Sequence, residues 1–190
     1  MENGQNIKDN KAQISSDDEK PMQIDHLFKL VIIGDLGVGK TSLILKFTEN
    51  SFIENPSLPV NFKIKLMILE NKGIKLQLWD THGSEKTGKI DEAHYSRSHG
   101  IIFAYDITNQ ISFKNIENWI KESNKFSKKN VCKILVGNKC DKSNKAVTED
   151  EGKKLAKELG MDFFETSAKN NQNVKEIFNF LVKEMIKANK

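Results

Sequence analysis

The chain reads as an α/β domain, a mostly parallel sheet of about six strands with one antiparallel edge strand, flanked by about five helices. Three observations carry that expectation. From residue 26 onward short apolar runs alternate with segments of helical period, the pattern of repeated strand–helix–strand units. One neighbouring pair of runs is joined by the turn "NKG", which reads as a hairpin. And 190 residues, 37% of them hydrophobic, can bury one ordinary core and not two.

In order along the chain, "LFKLVII", Leu27 to Ile33, reads as a buried strand and Lys40 to Glu49 as the helix after it. "FKIKLMIL", Phe62 to Leu69, places Phe62, Ile64, Leu66 and Ile68 on one face; Ile74, Leu76 and Leu78 then repeat the alternation and close the hairpin. "GIIFAYD" is the next buried strand, followed by a helix from Ser112 to Phe126 in which Phe113, Ile116, Trp119 and Ile120 share a face. "VCKILVG" is another strand. Thr148 to Leu159 reads as a helix, with Thr148 as its cap and Glu151 three residues on. "MDFFET" is the last strand, and the closing helix from Val174 to about Ala188 stacks Val174, Ile177, Phe178, Leu181 and Met185 toward a core.

Residues 1–26 form a polar tail without apolar period, expected to be disordered, and residues 27–188 form the folded domain. The first 25 residues carry six acidic side chains against three lysines, a net −3, which leaves +7 on the rest of a chain whose total is +4. Lysine dominates that basic balance. Arg97 is the one arginine, so the interleaved arginines and aromatics of a nucleic-acid groove are missing and no nucleic-acid partner is expected. No run is long and apolar enough to span a membrane, and the N-terminus has no signal-peptide core. Cys132 and Cys140 make neither a disulfide scaffold nor a zinc cluster, which fits a reducing compartment.

"GDLGVGKT", Gly34 to Thr41, matches G-x-x-x-x-G-K-[ST] between a predicted strand and a predicted helix, the setting this motif requires. A chance match in a chain of this length is on the order of one in a hundred. Gly34, Gly37 and Gly39 let the backbone fold so that N–H groups face phosphate oxygens at the positive end of a helix; Val38 and Ser42 belong to the same binding stretch. Lys40 supplies a cation to the β- and γ-phosphates, the Thr41 hydroxyl ligates Mg²⁺, and Asp80 after "LQLW" holds the metal from the other side.

"NKCD", Asn138 to Asp141, follows a buried strand at its carboxyl end, where such folds bind ligands. A carboxylate at Asp141 accepts from guanine N1–H and its exocyclic amine, whereas adenine presents an acceptor at N1, so Asp141 selects against ATP. Asn138 addresses the purine's other edge, and the stem of Lys139 lies over the ring. In "TSAK", Thr166 to Lys169, the backbone at Ser167, Ala168 and Lys169 is placed to donate to guanine O6.

These residues resemble the Ras superfamily of small GTPases, and the Rab branch most closely. The resemblance rests on "GVGKTSLILKFTEN", "VNFKIK", "KLQLWDT", "HGIIFAYDIT", "SFKNIENWI", "LVGNKCD" and "ETSAK", which together span about residues 27–188. It implies the P-loop small G-domain fold, GTP and GDP binding with Mg²⁺, and two switch loops that order around the γ-phosphate. It also implies effector, exchange-factor and GTPase-activating protein partners, and a monomeric, cytoplasmic switch in vesicle or membrane trafficking.

The departures from the family are specific. Where Rabs carry a threonine followed by Ile-Gly, anchoring on "VNFKI" puts Ser57, with Leu58 and Pro59 after it, in a loop shorter than the family's. Ser57 still offers a hydroxyl to Mg²⁺, while Pro56 and Pro59 fix φ and remove two N–H donors, which works against normal switch closure. Leu36 stands where Rabs have a small residue, often serine, and crowds the space beside the γ-phosphate. The family's Asp-Thr-Ala-Gly-Gln-Glu reads Asp-Thr-His-Gly-Ser-Glu here: Gly83 is kept as a γ-phosphate sensor, but Ser84 replaces the glutamine that orients the attacking water. The expectation is slow hydrolysis. His82 either orients that water itself or fills space beside the loop.

No cysteine follows Cys140, so the prenylated tail typical of Rabs is not expected, and Met1-Glu2 excludes N-myristoylation. Lys183, Lys187 and Lys190 give only weak attraction to an anionic membrane, which would be reached through a partner. Two other readings stay open: a non-cycling interaction or scaffold protein holding nucleotide as a structural ligand, and a small-molecule kinase. The kinase is disfavoured, because Asp141 selects guanine and a single arginine cannot clamp a second phosphorylated substrate.

Overall fold

The computed structural model describes residues 22–54, 62–81, 92–128 and 130–189. Six strands alternate with helical segments: β1 (His26–Ile33), α1 (Lys40–Glu49), β2 (Phe62–Leu69), β3 (Lys72–Asp80), α2 (Glu92–Tyr95) and β4 (Gly100–Asp106) come first. They are followed by α3 (Gln110–Lys114), α4 (Ile116–Phe126), β5 (Cys132–Asn138), α5 (Glu149–Glu158), β6 (Asp162–Thr166) and α6 (Val174–Ala188). The sheet order is β2-β3-β1-β4-β5-β6, with β2 antiparallel to β3 and every other pairing parallel. This is the expected mostly parallel sheet with one antiparallel edge strand.

The central strands read as continuous apolar runs because helices cover both of their faces. In β1, Phe28, Leu30 and Ile32 enter a core roofed by α1 and α6, while Val31 and Ile33 enter a second core shared with α4. All seven residues of β4 are buried. Each large aliphatic side chain so placed contributes about 1.5–3 kcal/mol, and truncating Leu30 to alanine would cost about 2–5. α6 supplies Val174, Ile177, Phe178, Leu181 and Met185 to the first core, as its period predicts.

β2 behaves differently. Phe62, Ile64, Leu66 and Ile68 do share a face, but that face is open, with exposures of 37% to 69%. Its other face meets the helices: Lys63 pairs with Glu49 at 2.6 Å, and Lys65 lies 5.8 Å from the centre of the Phe47 ring.

Three boundaries differ from the sequence reading. The helix expected over 112–126 starts at Gln110, capped by the Asn109 side chain accepting from the N–H groups of Ile111 and Ser112, and it is interrupted at Asn115. Counted as one interrupted helix, α3 and α4 bring the described helical segments to five. The four-residue α2 has too little period to be read from sequence. Thr148 does close a capping box with Glu151, one position before α5 begins. Of the expected tail, residues 1–21 lie outside the described residues; Asp25 exchanges hydrogen bonds with Gly73, at 2.8 and 2.7 Å, and His26 opens β1.

Candidate functional site

The loop between β1 and α1 holds three glycines at positive φ: Gly34 at 150°, Gly37 at 80° and Gly39 at 97°. Space as well as backbone angle demands glycine. A Cβ on Gly34 would lie 2.0 Å from the Ala104 carbonyl oxygen, and one on Gly39 2.3 Å from Asn138 Nδ2. The loop's carbonyls are held from outside. Lys40 Nζ donates to the carbonyls of Gly34 and Asp35, both at 2.8 Å; Lys139 Nζ donates to that of Gly37 at 2.6 Å; and Asn138 Nδ2 donates to that of Val38 at 2.9 Å. Among the described residues the N–H groups of Gly37, Val38 and Gly39 meet no acceptor. With the carbonyl dipoles turned away, those N–H groups and the first turn of α1 form a cradle with the polarity an anion needs.

Thr41 Oγ1 donates to Asp80 Oδ2 at 2.5 Å, so the two residues assigned to the metal stand side by side at the ends of β3 and the loop. Ser42, also in the first turn, is buried and its hydroxyl donates to the Ile53 carbonyl at 3.2 Å, which leaves its main chain rather than its side chain to the cradle. Leu36 projects from the loop with 69% exposure. Its neighbour Asp35 is turned the other way, accepting from Asn115 Nδ2 and Trp119 Nε1, both at 2.7 Å. The sequence reading missed this anchor of the loop on α4. It also missed Asp106, which pairs with Lys139 Nζ at 2.7 Å; an acid at the carboxyl end of a strand was the available signal.

On the other side of the cleft Asn138 is buried and links three segments: its Oδ1 accepts from Thr166 Oγ1 at 3.1 Å and from Ala168 N–H at 3.4 Å while its amide reaches the loop. Lys139 has φ 68°, the left-handed geometry that lets Asn138 point inward and the Lys139 stem lie toward the loop. Asp141 Oδ1 accepts from Ser167 Oγ at 2.6 Å, and the same hydroxyl accepts from Asn170 N–H at 3.0 Å. Ser167 and Ala168 are buried and Lys169 is exposed. Burial, with Glu165 and Asp141 nearby, pushes the Cys140 thiol above its ordinary pKa, so this cysteine is a neutral neighbour of the base edge.

The structure thus brings together Gly34, Gly37, Val38, Gly39, Lys40, Thr41, Ser42, Asp80, Asn138, Lys139, Asp141, Ser167, Ala168 and Lys169 around one cleft at the carboxyl ends of β1, β3, β5 and β6. Ser57, Gly83 and Ser84 lie outside the described residues, as do Pro56, Leu58, Pro59 and His82. Among the described residues no group of three acidic, histidine or cysteine side chains could hold a metal. A magnesium ion here would lean on oxygens of phosphate and water, its usual habit.

A phosphate cradle and an Asn-Lys-x-Asp base edge, cross-linked through Asn138 and Lys139, define a P-loop protein built for a guanine nucleotide. A family model described as "Ras family" matches residues 29–187. The Ras-related protein RIC1 of Oryza sativa subsp. japonica is 46% identical over 159 residues, covering 82% of this chain and 79% of that protein. The Ras-related protein Rab-13 of Mesocricetus auratus is 46% identical over 165 residues, 85% and 81% of the two chains. The Ras-related protein Rab-1 of Theileria parva is 42% identical over 167, 86% and 76%. The chain belongs to the Ras family of small GTPases, close to its Rab branch.

Proposed function

We propose that this chain is a Rab-like GTP/GDP switch in vesicle or membrane trafficking whose intrinsic GTP hydrolysis is slow. The observation that carries the nucleotide reading is a loop with its carbonyls held from outside and its N–H edge left to an anion. In this reading Lys40 leaves the Gly34 and Asp35 carbonyls to bridge β- and γ-phosphates. Thr41 and Asp80, with Ser57, would hold Mg²⁺, which would supply positive charge to the phosphate oxygens. Asp141, aimed by Ser167, accepts from guanine, and the Ala168 and Lys169 main chain faces its O6. The trafficking role rests on the Rab names of the relatives. Effectors, exchange factors and GTPase-activating proteins are its partners; it works as a monomer in the cytoplasm and reaches a membrane through a partner.

Slow hydrolysis follows from two departures from the family pattern, Leu36 and Ser84. Leu36 stands out from the loop where an attacking water and an arginine finger need room. Ser84 is too short to aim that water as a glutamine does, and positioning carries most of the catalysis in phosphoryl transfer. One lost positioning group commonly costs about 3 kcal/mol, roughly a hundredfold in rate. Chromatography of nucleotide released from the purified protein should show GTP persisting beside GDP. Single-turnover hydrolysis should be about a hundredfold slower than in the variant Leu36→Ser/Ser84→Gln. Equal rates in parent and variant would refute the slow cycle. A non-cycling scaffold is favoured instead by Pro56 and Pro59; it requires partner binding that does not change between GDP and a non-hydrolysable GTP analogue.

A further inference from the structure

Ten residues along α1 from the phosphate loop, the helix's far end forms one wall of a separate cavity, with β2 and the first half of α6 as the others. Its volume is about 470 Å³, within the range of small-molecule sites. Among the described residues three lysines line it, Lys46 from α1, Lys65 from β2 and Lys175 from α6, and no carboxylate does. Three acids adjoin the lining residues in sequence: Glu49 pairs with Lys63 at 2.6 Å, Glu70 faces Lys183 at 3.7 Å, and the exposed Glu176 follows Lys175 on α6. Lys46 has one long bond, 3.4 Å to the Asn50 carbonyl; Lys65 donates to the Thr48 carbonyl at 3.1 Å; Lys175 has no partner among the described residues.

The floor has the opposite character. Phe47, Met67 and Val174 form it, and Phe47 is backed by a stacked Phe178 at 4.0 Å between ring centres. Asn179 also lines the cavity, and its Oδ1 is buried without a hydrogen-bond partner among the described residues. Such an atom costs free energy unless something donates to it. Three cations around one cavity repel one another, and that arrangement becomes favourable once a multiply charged anion joins them. An apolar floor beneath such a site suits a ligand whose anionic group is attached to hydrocarbon.

We propose that this cavity binds a phosphorylated amphiphile, a phosphate-bearing lipid headgroup whose phosphate esters meet Lys46, Lys65 and Lys175, and whose glycerol and upper chain lie over Phe47 and Met67. The site is separate from the nucleotide cleft, so it adds a direct contact with a membrane to a protein that would otherwise reach one through partners.

The test measures sedimentation of the full chain, loaded with GDP, with neutral phosphatidylcholine vesicles containing a phosphatidylinositol monophosphate, and with phosphatidylserine vesicles of equal charge. Binding to the phosphoinositide vesicles should be saturable. It should fall by about fivefold for each lysine removed in Lys46→Gln and Lys175→Gln, and hold in the control Lys121→Gln/Lys153→Gln, which removes equal charge from exposed surfaces of α4 and α5. Met67→Gln should weaken vesicle binding while leaving binding of soluble inositol trisphosphate, followed by lysine side-chain NMR shifts, unchanged. Retained nucleotide and an unchanged melting temperature verify that each variant is folded. Equal loss in the cavity and control variants, or equal binding to phosphatidylserine, would reduce the attraction to bulk charge and overturn the proposal. Binding of the soluble phosphate without vesicle recruitment would overturn its lipid part, and binding of neither would overturn all of it.

Discussion

At the phosphate loop the groups proposed to recognise the anion are mainly main-chain N–H dipoles, and the side chains of Lys139 and Asn138 serve them by holding carbonyls away. Across the cleft the arrangement is inverted: Asp141, Ser167 and Asn138 present side chains, and the main chain supports them. A cradle made of backbone depends on where atoms are absent, so a single methyl group can destroy it together with the fold. An edge made of side chains can change what it recognises and leave the fold alone. Asn138 and Lys139 belong to both, so damage to either should spread across the cleft.

The sharpest way to break this contrast is Gly34→Ala. Its Cβ would meet a backbone oxygen at 2.0 Å that belongs to the fully buried β4 and cannot yield, so a loss above about 4 kcal/mol, read as insoluble or low-melting protein, is expected. A variant melting within a few degrees of the parent would show that the loop can relax. Next comes Asp141→Asn, which should weaken GTP binding by about a hundredfold, roughly 3 kcal/mol, because an amide cannot accept from both guanine donors. The melting temperature of its nucleotide-free form should hardly move; a large drop would make Asp141 structural.

Lys139→Gln is expected to do less, since its ammonium is a third exposed and the ion pair with Asp106 is partly screened. Losing that pair and the bond to the Gly37 carbonyl should raise the nucleotide dissociation rate about tenfold, roughly 1.4 kcal/mol, measured by displacement of a fluorescent analogue. The smallest effect lies away from the cleft. His99 Nδ1 accepts from Lys29 N–H at 2.9 Å, and burial, then Lys128 and Lys29, lower its pKa from the ordinary 6.5. The unfolded chain therefore binds this proton more readily than the folded one. Its stabilising contribution is complete above pH 6.5 and is lost as pH falls below that value. In His99→Gln the decline in melting temperature from pH 7 to pH 5 should be shallower; an unchanged slope would remove His99 from the account.

Much of this was legible in the sequence because the strongest signals are local. The Gly34, Gly37 and Gly39 spacing names a backbone geometry outright, and the capping pair Thr148 and Glu151 names a helix start. The strands, and the placing of the polar motifs at their carboxyl ends, followed from apolar runs that end in those motifs. What escaped the sequence depends on pairs far apart in it: Asp35 with Trp119 is separated by 84 positions, and no local pattern announces it. Nor does alternation say which face of β2 is covered. Phe62, Ile64, Leu66 and Ile68 look like core residues in any strand, and only the sheet order, with β2 at its edge, leaves them outside.

The central place of β1 also sets a schedule for biosynthesis. This strand leaves the ribosome first of the six, yet one of its faces packs beneath α6, the most C-terminal described helix, whose seven buried side chains complete that core. Phe28, Leu30 and Ile32 thus have no finished roof while some 140 intervening residues are being translated, about 7 to 28 seconds at ribosomal speeds of about 5–20 residues per second. A nascent chain stalled before Val174 would expose a sticky half-sheet. Such a chain should recruit chaperones that the released protein no longer needs.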